Sequence, residues 1–379
     1  MTMNNSTTRS TRVAVVGAGI AGSSAAFALL NAGYDVQLFE QAAEIREVGA
    51  GVGIRATTAK HLRRWGVWEE FASRSAFSPH IQIRGARNEL FVRERWPQLT
   101  DDPGEERARF IHRADLLDIF MSRIGPDRVH TRHRLASLEQ GGDGARLEFE
   151  NGHVAEFDLI VGADGIRSVV RDCVFGPTPT VYSGFHAYRA IVNDPEAFEL
   201  APDNALRILV ADGIQIYLVP LHHRNQVSFD VTAISDDPAW QPDVSNGAIS
   251  EMLDGFDERV RKIAAGVDHY VKRSIHDIEP LRTWHNDSVV LVGDAAHAMC
   301  HHQGYGANSA IQDAGVLDES LRTGSLPDAL EVYESLRKPL TDRYQALSRI
   351  IPTMQSGTIF HNVPEWAVRD EAVLAGVTQ

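Results

Sequence analysis

In this 379-residue chain the residue types best suited to chemistry gather in one stretch, Ser288 to Ala314, SVVLVGDAAHAMCHHQGYGANSAIQDA. Its apolar run, Val289 to Val292, reads as a strand buried on both faces. Gly293-Asp294 ends that strand and sets a carboxylate at its tip. His301 and His302 follow, then Tyr305 between Gly304 and Gly306. The small residues Gly304, Gly306 and Ala307, with Asn308, let a flat ligand lie close to backbone. A helical pattern then begins, with Ala310, Ile311, Ala314 and Leu317 on one side. Hydroxyls on the ligand would suit Asp294, and partial negative charge would suit the first amides of the helix.

The elements that must position this stretch start at the other end of the chain. Arg12 to Val16 reads as a buried strand, GAGIAG runs from Gly17 to Gly22 through Ala21, an apolar helix follows, and Tyr34 to Phe39 forms a second strand before Glu40. This is the dinucleotide fingerprint in its required setting. Gly17 makes the tight turn, Gly19 admits a pyrophosphate, and Gly22 lets helix and strand pack. Glu40 accepts hydrogen bonds from an adenosine ribose. The motif alone does not separate FAD from NAD.

Three further stretches complete a pattern: REVGAGVGI at Arg46 to Ile54, HRADL beginning at His112, and DLIVGADGIRSVVR at Asp158 to Arg171. Together with the GD stretch they resemble the flavin-dependent aromatic-ring monooxygenases of the salicylate hydroxylase and 6-hydroxynicotinate monooxygenase type. The resemblance implies that Asp294 holds the ribityl chain of FAD and that the helix after Gly306 faces the flavin pyrimidine edge. It implies that Arg46 to Val52 runs past the flavin, that Arg113 contacts FAD, and that Asp164 helps hold FAD and takes part in binding NADH or NADPH. Arg167 and Arg171, one turn apart, would meet nicotinamide phosphates or form a surface ion-pair ladder.

The reaction so implied is hydroxylation of a small aromatic substrate (a phenol, hydroxybenzoate or hydroxypyridine-like ring) with O2, through a flavin C4a-hydroperoxide. The chain departs from the family at the reacting edge. His301 stands where proline is usual, Tyr305 replaces a common glutamine, Gly53 occupies a histidine position, Ala56-Thr57 replaces Pro-Asn, and Val219-Pro220 replaces Tyr-Pro. His302, His301 and Tyr217 compete for the role of drawing a proton from the substrate, since a histidine titrates near neutrality. The departures leave decarboxylative hydroxylation, ring rearrangement and a non-catalytic flavin sensor as alternatives.

The expected fold class is α/β: a Rossmann-like FAD-binding domain of the para-hydroxybenzoate hydroxylase kind, with an interleaved antiparallel-sheet substrate domain. Residues 1–75, 106–178 and 281–350 are assigned to the first, 76–105 and 179–280 to the second, and 351–379 to a C-terminal helical segment. In the strand GIQIYLVPL, alternation puts Gln215, Tyr217 and Val219 on one face. Those three and Tyr305 are the expected substrate contacts.

A net charge of −14 argues against a nucleic-acid surface. No stretch approaches the ~18–20 apolar residues of a membrane span. The polar N-terminus lacks a signal-peptide core. Cys173 and Cys300 form no CxxC pair, which disfavours a disulfide reductase and suits a reducing cytoplasm. No metal is expected, and the assembly is a monomer or homodimer. A nicotinamide-only dehydrogenase would share GAGIAG and Glu40 but has no use for the other stretches.

Overall fold

The computed structural model describes residues 11–45, 49–96, 108–141 and 144–350. Arg46 and the expected C-terminal segment lie outside the described residues. The chain opens with β1 (Arg12–Val16), α1 (Ile20–Asn31), β2 (Asp35–Phe39), β3 (Gly51–Arg55), α2 (Ala56–Arg64), α3 (Trp68–Ser73) and β4 (Ser75–Phe77). It continues with β5 (His80–Gly85), β6 (Leu90–Arg95), β7 (Ala108–His112), α4 (Arg113–Met121), β8 (Val129–His130), β9 (Leu135–Gly141), β10 (Gly144–Phe149), β11 (Val154–Phe157), β12 (Leu159–Gly162) and α5 (Val169–Phe175). Next come β13 (Thr180–Val192), α6 (Pro195–Glu199), β14 (Leu206–Ala211), β15 (Ile214–Leu221), β16 (Gln226–Ile234), α7 (Asn246–Glu251), α8 (Glu258–Ala265) and β17 (Val271–Ile278). The last elements are β18 (Val289–Leu291), α9 (Asp294–His297), α10 (Gly306–Leu321) and α11 (Leu326–Ser348).

β18, β12, β1, β2 and β8 form a parallel sheet in that order. Its central strands are apolar throughout, because helices cover a parallel sheet on both faces. α1, rich in Ala, Gly and Ser, is buried along most of its length and packs against α10. The order places the tips of β1 and β18, far apart in sequence, on either side of β12.

A second sheet runs β17-β13-β16-β15-β14-β5-β6. It is antiparallel except at β14–β5, because β5 arrives from an earlier excursion of the chain. One face is sealed by a core of Tyr188, Leu209, Ile216, Leu218, Phe229 and Val231 against Ile249, Val260 and Ile263 of α7 and α8. The opposite face looks toward the glycine strand β3 and the segment before α10.

Local chemistry sets several element boundaries. Gly66, at φ +72, separates α2 from α3. The Ser245 and Asp257 side chains start α7 and α8 by capping the backbone N–H groups of Ala248 and Arg259. On α11, Leu336 is 48% exposed, and its neighbour Arg337 is fully buried.

Candidate active site

At the tip of β1, Gly17 adopts φ +103, and a Cβ there would lie 2.4 Å from the Ala163 carbonyl oxygen. A Cβ on Gly22 would lie 1.8 Å from the Gly17 oxygen, so glycine is required for helix and turn to meet. Gly19 differs: a Cβ there meets no protein atom within 4 Å. Its open side is where an anion can approach the first turn of α1. Glu40 accepts from the backbone N–H of Ala18 and of Ala42, each at 2.8 Å. Each carboxylate oxygen retains a second lone pair for a ribose hydroxyl.

The GD turn is held against this cradle. A Cβ on Gly293 would fall 2.6 Å from the Ala21 Cβ, so Ala21 packs the fingerprint helix onto the turn. Fully buried Asp313 accepts from Gly293 N at 2.8 Å, His297 Nε2 at 2.6 Å and Arg337 Nε at 2.7 Å. Burial works to raise the Asp313 pKa, but His297 and Arg337 together outweigh it and leave the carboxyl below its ordinary range. Asp294, by contrast, is exposed, and among the described residues none hydrogen-bonds its carboxylate. Neither Gly304, at φ +57, nor Gly306 would place a Cβ near any protein atom. An unpartnered carboxylate, open glycines and a sixteen-residue helix starting at Gly306 and Ala307 fit a polyhydroxylated cofactor with an electron-rich edge.

Several expected cofactor ligands serve through other residues. The Asn308 amide is fully used. It accepts from Arg55 N and Thr58 Oγ1 and donates to the Gly53 and Gly304 oxygens, bracing β3, and with it Val52, against α10. Asp164 accepts from Ser168 Oγ, Val169 N and Val170 N, so its carboxylate shapes the turn into α5. Arg171 is not available to a phosphate: it is buried and donates to the Ala295 and Ile166 oxygens, tying the DG stretch to the GD stretch. Arg167 precedes α5 and lies over the Trp240 ring at 3.9 Å. Arg113 is half-buried at the start of α4, with its backbone N–H on the Ala50 oxygen at 2.9 Å.

The facing sheet supplies the other wall. Register places Arg189, Asp230, Tyr217 and Ile208 in one row across four strands. The adjacent row is Ala187, Thr232, Gln215 and Val210, so these side chains share a face, as the alternation in β15 predicts. Tyr217 donates to Gln215 Oε1 at 2.5 Å. Val219 lies under the glycine strand: a Cβ on Gly51 would meet its Cγ1 at 2.7 Å and the Ser228 Cβ at 3.0 Å. Tyr305 is not a pocket residue. Its ring stacks on Tyr344 with centroids 3.7 Å apart, and its hydroxyl bonds Gln312 Oε1 at 2.8 Å, which spends it in the α10–α11 core.

The two histidines bring the cofactor side and the sheet together. His301 Nε2 is 2.9 Å from Thr232 Oγ1, and its ring meets Tyr217 edge to face at 5.8 Å. Thr232 donates in turn to Asp230 Oδ1 at 3.3 Å, and Asp230 Oδ2 accepts from Arg189 Nε at 2.6 Å. With the threonine proton on Asp230, His301 donates through Nε2 and keeps Nδ1 as an acceptor. His302 packs between Phe185 and His301, and neither of its ring nitrogens has a hydrogen-bond partner among the described residues. Burial lowers the His302 pKa to about 4, with Arg189 adding to the shift; burial, His302 and Arg189 push His301 well below its ordinary value. Neither imidazole therefore titrates near neutrality, contrary to the sequence-based expectation. Burial, then Asp230, raises the Tyr217 hydroxyl well above its ordinary value and keeps it protonated. Thr232 and Asp230 escaped the sequence reading, although the polar alternation Ser228, Asp230, Thr232 in β16 carries their signal.

A nucleotide cradle closed by the polar face of a second sheet is the architecture of a flavin-dependent oxidoreductase. Residues 10–346 match the family described as FAD binding domain. The 3-amino-4-hydroxybenzoate 2-monooxygenase of Streptomyces cremeus is 30% identical over 342 residues, covering 88% of this chain and 84% of that protein. The 3-hydroxybenzoate 6-hydroxylase of Klebsiella oxytoca is also 30% identical, with 92% and 89% covered. Klebsiella pneumoniae HpxO, solved with FAD and uric acid, aligns with a TM-score of 0.83 at 25% identity, covering 97% and 95%. The tetrameric form of 2-methyl-3-hydroxypyridine-5-carboxylic acid oxygenase aligns at 0.80 with 27% identity, covering 96% of each chain. The chain belongs to this FAD-binding family and is an FAD-dependent aromatic-ring monooxygenase. Among the described residues, no helix is long and apolar enough to cross a membrane.

Proposed function

We propose that the enzyme hydroxylates a phenol- or hydroxypyridine-like ring lying between the His301–Gly306 segment and the Gln215–Tyr217 face of the sheet, with NADH or NADPH as reductant. One observation carries this reading: His301, which belongs to the cofactor-binding stretch, is hydrogen-bonded to Thr232 and packed on Tyr217 of the sheet. The space they bound is therefore shared by cofactor and substrate. When bound, FAD would supply the oxygen activation. Gly17, Gly19, Glu40, Asp294 and the N-terminus of α10 would hold it.

The chain's own residues then have distinct tasks. His301 Nδ1 accepts a hydrogen bond from the ring hydroxyl and so enriches the ring in electron density. The Asp230–Thr232 pair orients His301 for that contact. The neutral imidazole shares the proton without taking it, because its conjugate acid is far stronger than a phenol. Ile208, Val210 and Val219 exclude water, which an oxygen-activating site requires.

Purified protein should carry flavin absorbance, and an aromatic substrate should accelerate NADH or NADPH oxidation with one oxygen added to the product mass. Protein that binds flavin yet forms no oxygenated product with any phenol or hydroxypyridine would overturn the proposal in favour of a flavin-binding sensor.

A further inference from the structure

We infer that this site selects an uncharged hydroxylated ring and discriminates against carboxylated analogues, with His302 as a recognition residue. The inference rests on the placement of substrate proposed above. It starts from the charges on the site-facing side of the sheet. The guanidinium of Arg189 is bonded at 2.6 Å to Asp230, which is itself only 14% exposed at its side chain. The pair carries no net charge, although Arg189 still acts on both histidines, and a carboxylate brought to the same row would face Asp230. Arg273 comes next to Ala187 on the site-facing side, but it lies on edge strand β17, two strands from Thr232, with Nη1 on the Lys272 oxygen at 2.8 Å. It marks the rim. Desolvating a carboxylate beside an existing anion, without a cation in contact, is costly.

The second observation concerns the histidines. His302 is only 8% exposed, and both of its ring nitrogens lack hydrogen-bond partners among the described residues. Its ring packs against Phe185 and His301, and Phe185 belongs to an apolar cluster with Ala187, Ile275 and Cys300. A neutral imidazole offers one donor and one acceptor. A ring with a hydroxyl or lactam N–H donor and a separate acceptor oxygen can answer the two; a carboxylate offers acceptors only. His301 adds a second acceptor at Nδ1. Both imidazoles stay neutral at pH 7, so neither supplies a counter-charge.

The test uses the FAD-loaded enzyme and matched pairs that differ in charge and hardly in size: 4-hydroxybenzamide against 4-hydroxybenzoate, and 6-hydroxynicotinamide against 6-hydroxynicotinate. Binding is read from the perturbation of flavin absorbance. The amides should bind at least tenfold more tightly than the acids. Equal binding, or tighter binding of the acids, overturns the inference. Asp230→Asn should narrow the gap by releasing the Arg189 charge, and an unchanged gap counts against the argument. Where that variant loses its flavin, the wild-type pairs decide alone. His302→Phe should weaken the amides at least tenfold; unaltered affinity removes His302 from recognition. Product formation is scored separately. Amides that bind yet gain no oxygen would count against the proposed placement of the reacting ring and leave the charge preference standing.

Discussion

Asp313→Asn tests how the GD turn is held. In the native protein this carboxylate is fully buried and bonded to Arg337, His297 and the Gly293 amide. The substitution keeps the shape but removes the charge. The Arg337 guanidinium, 0% exposed, then loses its anionic partner and keeps only Gln312 and Ser309. Breaking one side of a buried ion pair costs about 3–5 kcal/mol. Asparagine must also turn an N–H group toward Gly293 N, His297 or Arg337, and Arg337 and Gly293 N can only donate. The assay is urea unfolding of the FAD-loaded enzyme at pH 7, with flavin release followed in parallel. The variant should lose stability in that range and release flavin at lower denaturant, because Gly293 sets the position of Asp294. The native carboxyl is depressed, so its contribution is present above the unfolded pKa, ~3.9, and is lost as pH falls through the folded value. The variant should lack that part of the acid sensitivity. A loss below about 1 kcal/mol, within the range of a surface pair, with flavin affinity intact, would refute the argument that this network positions the turn.

Other substitutions probe separate contacts. Gly22→Ala should abolish flavin retention, since its Cβ meets the Gly17 oxygen at 1.8 Å; a yellow, folded variant would count against the assigned packing. Gly51→Ala should reduce turnover through its clash with Val219, and pairing it with Val219→Ala should restore most of it; failure of the pair to rescue would show that Ser228, not Val219, sets the limit. The His302 pKa is about 4 in the folded state and ~6.5 unfolded, so stability falls as pH drops from 6.5 toward 4. His302→Phe should therefore lose about 2 kcal/mol less than the native enzyme between pH 7 and pH 5, measured by urea unfolding. Equal losses would mean that His302 is charged or solvated in the native state.

The sequence is most legible where one local rule governs a position. GAGIAG between two apolar strands needs no tertiary information, and the alternation in β15 places Gln215, Tyr217 and Val219 on one face without a structure. Tyr305 shows where such rules stop. It immediately precedes a helix, and nothing local says whether its ring turns to the ligand or to Tyr344, which lies beyond α10. Arg171 and Arg337 fail for a related reason. Arginine reads as solvated, yet both are buried, because carbonyl or carboxylate partners from distant segments compensate the desolvation. The histidines are legible as candidates but not in their protonation, since a pKa depends on neighbours that only the fold assembles.

The contact between Gly51 and Val219 has a bearing on redesign. It clamps the glycine ribbon to the floor of the chamber at one end, so that end cannot be enlarged from the ribbon side without prying the two layers apart. Any attempt to admit a bulkier ring should leave Val219 in place and change Ile208 or Val210, which pair with Tyr217 and Gln215 in the sheet.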